Sequence, residues 1–111
     1  MKMSWRYVLL GVLALISTAV VLLRDSSDRH HTVTLTWNAA APPRGGSLAG
    51  YNVYRRIAEG GPFVKIAGKV PGSPYDDRFV TSGRKYVYVV TSVDQTGRES
   101  RYSTPVEVQI P

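Results

Sequence analysis

From residue 32 onward, apolar and polar residues alternate in short runs, which is the period of half-buried β-strands. The strand-like runs lie at residues 32–37, 50–55, 63–67, 75–80, 86–93 and 104–110. Clusters rich in Gly, Pro, Asp and Ser separate them, at residues 41–46, 59–62, 71–74, 82–83 and 94–97. No helical period appears after residue 24. The pattern predicts an all-β protein domain in which two antiparallel sheets form a sandwich.

The region before residue 25 has a different pattern, because residues 8–23 form one apolar run without a charged side chain. A helix from Trp5 to Leu23 would be about 28 Å long at about 1.5 Å per residue, close to the ~30 Å apolar core of a bilayer. Residues suited to the membrane interfaces flank the run: Trp5, Arg6, Tyr7 and Arg24. We therefore predict a cytoplasmic stub and a transmembrane helix over residues 1–24, a linker over 25–31 and a domain over 32–111.

The distribution of charge predicts the orientation of this helix. Lys2 and Arg6 precede the apolar run, whereas Arg24, Asp25, Asp28 and Arg29 follow it and cancel. The positive-inside rule then places the N-terminus in the cytoplasm and the domain on the opposite side of the membrane. The alternative is a cleaved signal peptide with its small residues at 17–19. The apolar run continues past them to Leu23 and is longer than a usual signal core, which favours a retained anchor.

Three small residues, Gly11, Ala14 and Thr18, have the spacing of one helix face. Small side chains let another membrane helix approach closely, so this face predicts a helix–helix contact. The alternative is chance, because small residues are common in any membrane-spanning helix.

Composition narrows the classes of partner and site. The formal net charge is +6, and half of it comes from Lys2, Arg6 and Arg24. The remaining charges are of mixed sign, which predicts no nucleic-acid partner. The chain has no cysteine, so it has neither disulfides nor a thiolate metal site.

Several motifs, in order and spacing, resemble a fibronectin type III domain of the bacterial kind over about residues 32–110. They are Leu35-Thr36-Trp37, Gly50 to Arg55, Tyr75-Asp76-Asp77, Gly83 to Val90, and Asp94 to Ser100 followed by Ser103. The resemblance implies that the Tyr86 hydroxyl bonds backbone at the corner between strands E and F, and that Gly97 lies in the F–G turn. Together with the predicted anchor, the bacterial kind of domain predicts a bacterial inner membrane protein with a periplasmic or extracellular domain. The residues implied to face the core are Val33, Leu35, Trp37 in strand B, Val53, Tyr86, Tyr88 and Val90, with Val87, Val89 and Val93 on the outer face.

The sequence departs from that family in two places. Only the polar residues 25–31 precede strand B, so we expect strand A to be short or missing. An unpaired strand B edge would be open to β-augmentation, unless the linker itself folds over it. The F–G loop, Thr96 to Glu99, lacks an Arg-Gly-Asp motif, so adhesion through that motif is not implied.

Residue types that carry chemistry occur without a catalytic arrangement. Asp76 and Asp77 are adjacent in a strand and should point to opposite faces, so we expect them in turn and surface roles. His30 and His31 are expected as solvated linker residues. No nucleophile elbow or phosphate cradle is present. We predict a non-enzymatic protein with no cofactor and no metal.

The remaining candidates are surface residues, because Tyr and Arg are common in interface hot spots. The candidate partner surface consists of Tyr51, Tyr54, Arg55, Arg56, Arg84, Lys85, Arg98 and Arg101, and Tyr102 is a further candidate for exposure. We predict a membrane-anchored accessory subunit that braces other subunits of a membrane complex. The alternatives are a module that binds carbohydrate or an envelope polymer, and a cleaved, secreted adhesin-like domain.

Overall fold

The computed structural model describes residues 4–10, 18–25, 31–39 and 46–111, and for the first two ranges it describes the backbone alone. All of its regular elements are strands. They are β1 (Ser4–Leu10), β2 (Thr18–Asp25), β3 (His31–Trp37), β4 (Leu48–Ile57), β5 (Gly60–Val70), β6 (Tyr75–Asp77), β7 (Lys85–Asp94) and β8 (Val106–Gln109).

The strands form two antiparallel sheets, in the orders β1-β2-β3-β6 and β5-β4-β7-β8. This confirms the predicted all-β sandwich. The β4–β7 ladder runs from Leu48↔Asp94 to Ile57↔Tyr86 and forms the centre of the second sheet. β7 is rich in Val and Tyr, and β4 contains Tyr51, Val53, Tyr54 and Ile57, all of which favour the extended backbone.

The core between the sheets follows the alternation of the strands. Its buried cluster contains all seven residues implied by the family resemblance and four more: Val33, Leu35, Trp37, Tyr51, Val53, Tyr86, Tyr88, Val90, Val106, Val108 and Ile110. The Trp37 and Tyr51 rings pack edge to face, with centroids 5.4 Å apart. The backbone N–H of Thr81 donates a hydrogen bond to the Tyr86 hydroxyl over 3.0 Å, which is the corner contact that the resemblance implies.

The structure differs from the sequence prediction over the apolar run. Residues 4–10 and 18–25 have strand backbones that pair with each other, from Ser4↔Arg24 to Leu10↔Thr18. No helix in the described ranges is long and apolar enough to cross a membrane. The predicted helix over Trp5–Leu23 is therefore not shown. Val and Leu make up ten of the sixteen residues in the run, and β-branched Val and Ile suit a paired strand as well as an apolar helix.

The expectation that strand A is short or missing is wrong in this structure. The eight-residue strand β2 pairs along β3 from Ala19↔Trp37 to Asp25↔His31, in the place of strand A. On its other side β3 pairs with β6. Strand B therefore has no open edge for β-augmentation, because the end of the apolar run satisfies its backbone groups.

Candidate functional site: an aromatic face on the second sheet

The outer face of the second sheet is partly covered, although sequence alternation alone would leave it in water. Val87, Val89 and Val93 point away from the core, yet their exposed fractions are only 1%, 1% and 3%. None of them belongs to the buried cluster between the sheets. A second, smaller apolar layer must therefore cover this face.

Part of that layer is a cluster of three aromatic rings, in which Tyr54 is the cross-strand partner of Val89. The Tyr102 ring comes from the loop between β7 and β8, and its centroid lies 5.3 Å from that of Tyr54 and 5.2 Å from that of Phe63. The rings meet at 58° and 61°, which is the tilted arrangement that aromatic quadrupoles favour. Tyr102 remains 49% exposed. We call Tyr54, Phe63 and Tyr102, together with Arg56 and Glu99, the aromatic face.

Charged groups hold these rings from both sides. The Arg56 guanidinium lies over the Phe63 ring, 5.2 Å from its centroid. Glu99 Oε2 accepts hydrogen bonds from the Tyr54 hydroxyl at 2.6 Å and from the Thr91 hydroxyl at 2.8 Å. Burial and the Glu99 carboxylate raise the pKa of Tyr54 to about 12, so its hydroxyl stays protonated. Burial alone would raise the pKa of Glu99, but the hydrogen bonds from Tyr54 and Thr91 bring it below its ordinary value. The acceptor at this face is therefore an ionised carboxylate at neutral pH.

A second polar group lies inside the sandwich. Asp77 Oδ2 accepts hydrogen bonds from Arg55 Nη1 and from the Tyr88 hydroxyl, both at 2.7 Å, and Asp77 Oδ1 accepts one from the Phe79 N–H at 3.1 Å. Asp77 is 2% exposed. Burial and the Asp77 charge raise the pKa of Tyr88, so its hydroxyl remains a donor. The prediction of a surface role was wrong for Asp77, because its position in the strand turns the side chain inward. Asp76 faces outward and accepts a hydrogen bond from the Thr34 hydroxyl.

The turn after β7 is organised by one carboxylate. Asp94 Oδ1 accepts hydrogen bonds from the N–H groups of Thr96 and Arg98, each at 2.9 Å, and from the Thr96 hydroxyl at 2.7 Å. Its Oδ2 accepts one from Arg98 Nε at 3.0 Å. Gly97 lies in the turn with a φ of 88°, a conformation that favours glycine. Hydrogen bonds lower the pKa of Asp94 to about 2. The Thr96 hydroxyl contributes most, and the backbone N–H groups of Arg98 and Thr96 and the Arg98 side chain contribute less.

This depressed pKa predicts an acid-labile turn. The ordinary pKa of Asp is about 3.9, so the fold favours the ionised form. The resulting stabilisation is complete above about pH 4 and is lost as the pH falls towards about 2. We expect Asp94→Asn to lower the melting temperature at pH 7, and the gap to the parent protein to narrow between about pH 4 and about pH 2. Thermal melts across this range measure it. Glu107→Gln, at an exposed outward position of β8, is the control, and a gap that stays constant with pH would contradict the assignment.

Comparison with known proteins identifies the fold family. A solved Fn3-like (fibronectin type III-like) protein from Clostridium thermocellum superposes with a TM-score of 0.60 and is 38% identical. The match covers 78% of this chain and 82% of that one. The chain belongs to the Fn3-like family. No protein-family profile matches it.

Two curated relatives contain a segment similar to this Fn3-like chain. An amylopullulanase from Thermoanaerobacterium saccharolyticum is 42% identical over 71 residues, which are 64% of this chain and 5% of that protein. Exoglucanase B from Cellulomonas fimi is 32% identical over 77 residues, 69% of this chain and 6% of that protein. The chain thus spans about a twentieth of the length of these relatives.

The Fn3-like fold separates the residues of the predicted partner surface. Tyr51 lies in the core at 2% exposure, because it alternates with Asn52 along β4 and faces inward. Arg55 also faces inward and pairs with Asp77, and Arg98 pairs with Asp94. Tyr54 and Arg56 meet in the aromatic face. Arg84, Lys85 and Arg101 are exposed.

The residues assigned to the N-terminal segment are only partly described. Trp5, Arg6 and Tyr7 belong to the backbone of β1, and Thr18 and Arg24 to that of β2. Gly11, Ala14 and His30 lie outside the described residues, so the shared helix face is not shown.

His31, predicted as a solvated linker residue, instead begins β3 and is 7% exposed. Its Nε2 lies 2.9 Å from the Ser82 Oγ. The prediction was wrong because the pairing between β2 and β3 already includes His31, which makes it part of the sheet rather than of the linker.

Sequence reasoning did not find Phe63 and Glu99 as members of the aromatic face. A signal for Phe63 was present, since it lies two residues before Lys65, the pairing partner of Tyr54, and so on the same face of the sheet. Glu99 and Tyr102 had no such signal, because they reach the face from an irregular loop.

Proposed function

We propose that this Fn3-like chain is a non-catalytic accessory module that binds a polysaccharide or an envelope glycan through its aromatic face. The observation that carries the proposal is the half-exposed Tyr102 ring, which two further aromatic rings hold in place on one sheet face. The similarity to segments of an amylopullulanase and an exoglucanase supports a glycan as the ligand.

The chemistry of the aromatic face suits a sugar polymer. A pyranose ring has an apolar C–H face, which packs on an aromatic ring, and a rim of hydroxyls, which needs hydrogen-bond partners. The Glu99 carboxylate accepts such bonds, and the Arg56 guanidinium donates them. A carboxylate has about four acceptor sites, and Tyr54 and Thr91 both donate to Oε2, so Glu99 keeps capacity to accept from a sugar hydroxyl. The face is open rather than a deep pocket, which favours a chain that passes across it over a small enclosed molecule.

Retention on insoluble polymers tests this proposal. The full chain is mixed with cross-linked pullulan, granular starch or microcrystalline cellulose, and the unbound fraction is measured. We expect at least one polymer to retain it, and Tyr102→Ala to weaken retention by about tenfold or more, as for an aromatic hot spot.

The matched control is Phe79→Ala, which removes an exposed aromatic side chain that is not part of the aromatic face. Phe79 is 86% exposed and contacts none of the three rings. Its substitution should leave retention unchanged. No retention by any polymer, or equal retention of Tyr102→Ala and the parent protein, would refute glycan binding and leave a spacer role.

A second candidate is an accessory subunit of a membrane complex, favoured by the uncharged run at residues 8–23 behind Lys2 and Arg6. This reading places the domain outside the cytoplasm of a bacterial cell. Protease accessibility of the domain in intact spheroplasts tests the location, and co-purification from native membranes tests the complex. A chain that is protease-protected in spheroplasts would oppose the location, and one that purifies without partner subunits would oppose the complex.

A further inference from the structure

An open hollow of about 540 Å³ lies at one end of the sandwich and shares Arg56 with the aromatic face. It is bounded by the β4–β5 turn on one side and by the loop from β6 to β7 on the other. Its lining includes Ile57, Val64, Phe79 and Arg84, with Arg55 and Arg56 behind them. We call it the end hollow.

The hollow exists because the two sheets differ in length at this end. Strand β5 has eleven residues, whereas β6, in the facing sheet, has three. Val64 pairs with the inward-facing Arg55, so it points to the inner side of β5, where no part of β6 continues opposite it. Its side chain is therefore 60% exposed.

Exposed apolar side chains are concentrated here. The described part of the chain has four large hydrophobic residues that are exposed, and three of them line the end hollow: Phe79 at 86%, Val64 at 60% and Ile57 at 37%. A cluster of this kind is costly in water and is typical of interaction sites.

The charge at the hollow has one sign. Its lining includes three arginines and no carboxylate. Arg55 is neutralised by Asp77, but Arg56 Nη1 donates only to the backbone carbonyls of Ile57 and Ala58. The exposed Arg84 has no ion pair with the described residues. Glu59 is close in sequence, but it lines a neighbouring depression.

From this combination we infer that the end hollow binds an acidic segment of a partner protein that carries an apolar side chain. The apolar side chain packs on Phe79 and Val64, and the flanking carboxylates pair with Arg84 and Arg56. A neutral glycan would leave the charge of Arg84 without a counter-charge. A second copy of this chain is disfavoured because its net charge of +6 repels the same positive surface. The inference rests mainly on Phe79, Val64 and Arg84, none of which belongs to the aromatic face, so its failure can be distinguished from failure of glycan binding.

Peptide titration of the ¹⁵N-labelled full chain tests this inference. The probes are the acetylated and amidated peptides EEFEE, QQFQQ and EEAEE. We expect EEFEE to shift the amide resonances of Phe79, Arg84 and Val64, with an affinity about tenfold or more above that of either other peptide. Raising the salt concentration from about 0.05 to about 0.5 M should weaken EEFEE binding, because screening reduces the contribution of exposed charges.

Variants separate the two parts of the recognition. Arg84→Gln should abolish most of the preference for EEFEE over QQFQQ, and Phe79→Ala should abolish the preference for EEFEE over EEAEE. Tyr102→Ala should leave peptide affinity unchanged, so failure here and failure of glycan binding are distinguishable. Phe79 and Arg84 are both exposed, so we expect their substitution to leave the melting temperature unchanged, and this measurement shows that the variants fold.

Three results would overturn the inference. The first is equal binding of EEFEE and QQFQQ, or resonance shifts confined to other residues. The second is a dimer in sedimentation that Phe79→Ala dissociates, which would make a second copy the occupant. The third is a shift of the same resonances by pullulan oligosaccharides, which would assign the hollow to glycan.

Discussion

Asp77→Ala is expected to lower the free energy of unfolding by about 3–5 kcal/mol, because it leaves the Arg55 guanidinium and the Tyr88 hydroxyl without their shared buried acceptor. The loss is large because the carboxylate and the Tyr88 hydroxyl are buried, where water replaces a lost partner poorly, although Arg55 is 23% exposed. A single domain is stable by only about 5–15 kcal/mol, so this loss is a large fraction of the total. Urea titration monitored by far-UV circular dichroism measures the effect.

Asp76→Ala is the matched control for Asp77→Ala, since it changes the neighbouring residue on the opposite face of the same strand. Asp76 accepts one bond from the Thr34 hydroxyl, and its contact with Arg78 is exposed at 3.8 Å. Its loss should cost about 1 kcal/mol or less. The double variant Arg55→Met with Asp77→Ala should recover part of the stability lost in Asp77→Ala, because no unpaired guanidinium remains. Equal costs for Asp76→Ala and Asp77→Ala would show that the buried network does not stabilise the fold.

Trp37→Ala is expected to lower the free energy of unfolding by about 3–5 kcal/mol, because it removes packing between the two sheets. The Trp37 ring is 7% exposed and packs edge to face on Tyr51, so its removal leaves a cavity that the sheets cannot close. The same urea titration measures this loss, with the midpoint and the slope reported separately.

Trp37→Phe controls for the shape of the side chain. The indole Nε1 has no hydrogen-bond partner among the described residues, so the phenyl ring gives up packing area but no bond. We expect a cost of about 1–2 kcal/mol, well below that of Ala. If Trp37→Ala costs no more than Trp37→Phe, the indole does not fill the inter-sheet core.

Local patterning was sufficient for much of the domain. The family resemblance implied that Leu35, Trp37, Tyr86 and Tyr88 face inward, and the alternation along β3 and β7 agrees, because the side-chain period of a strand is fixed by its backbone. The same period placed Asp76 and Asp77 on opposite faces. It did not show that Asp77 is buried, because the two donors that hold it lie 22 and 11 residues away along the chain.

The apolar run at residues 8–23 shows the limit of such patterning. Length and hydropathy fit a transmembrane helix, but apolar residues with β-branched neighbours also fit paired strands. The conformation of the run depends on whether the edge of another strand is available for pairing. The edge of β3 is available to residues 18–25, which pair with it as β2. The sequence contains no local mark of that pairing.

The sequence by itself determined the class of fold, the inward faces of the central strands and the absence of cysteine chemistry, since each follows from residue type and short-range period. Only the tertiary structure decided which surfaces exist. Tyr102 and Glu99 come from a loop and reach Tyr54 across 45 residues or more, and the end hollow arises from unequal lengths of β5 and β6 in different sheets. These features depend on how distant segments meet, and no local pattern encodes that meeting.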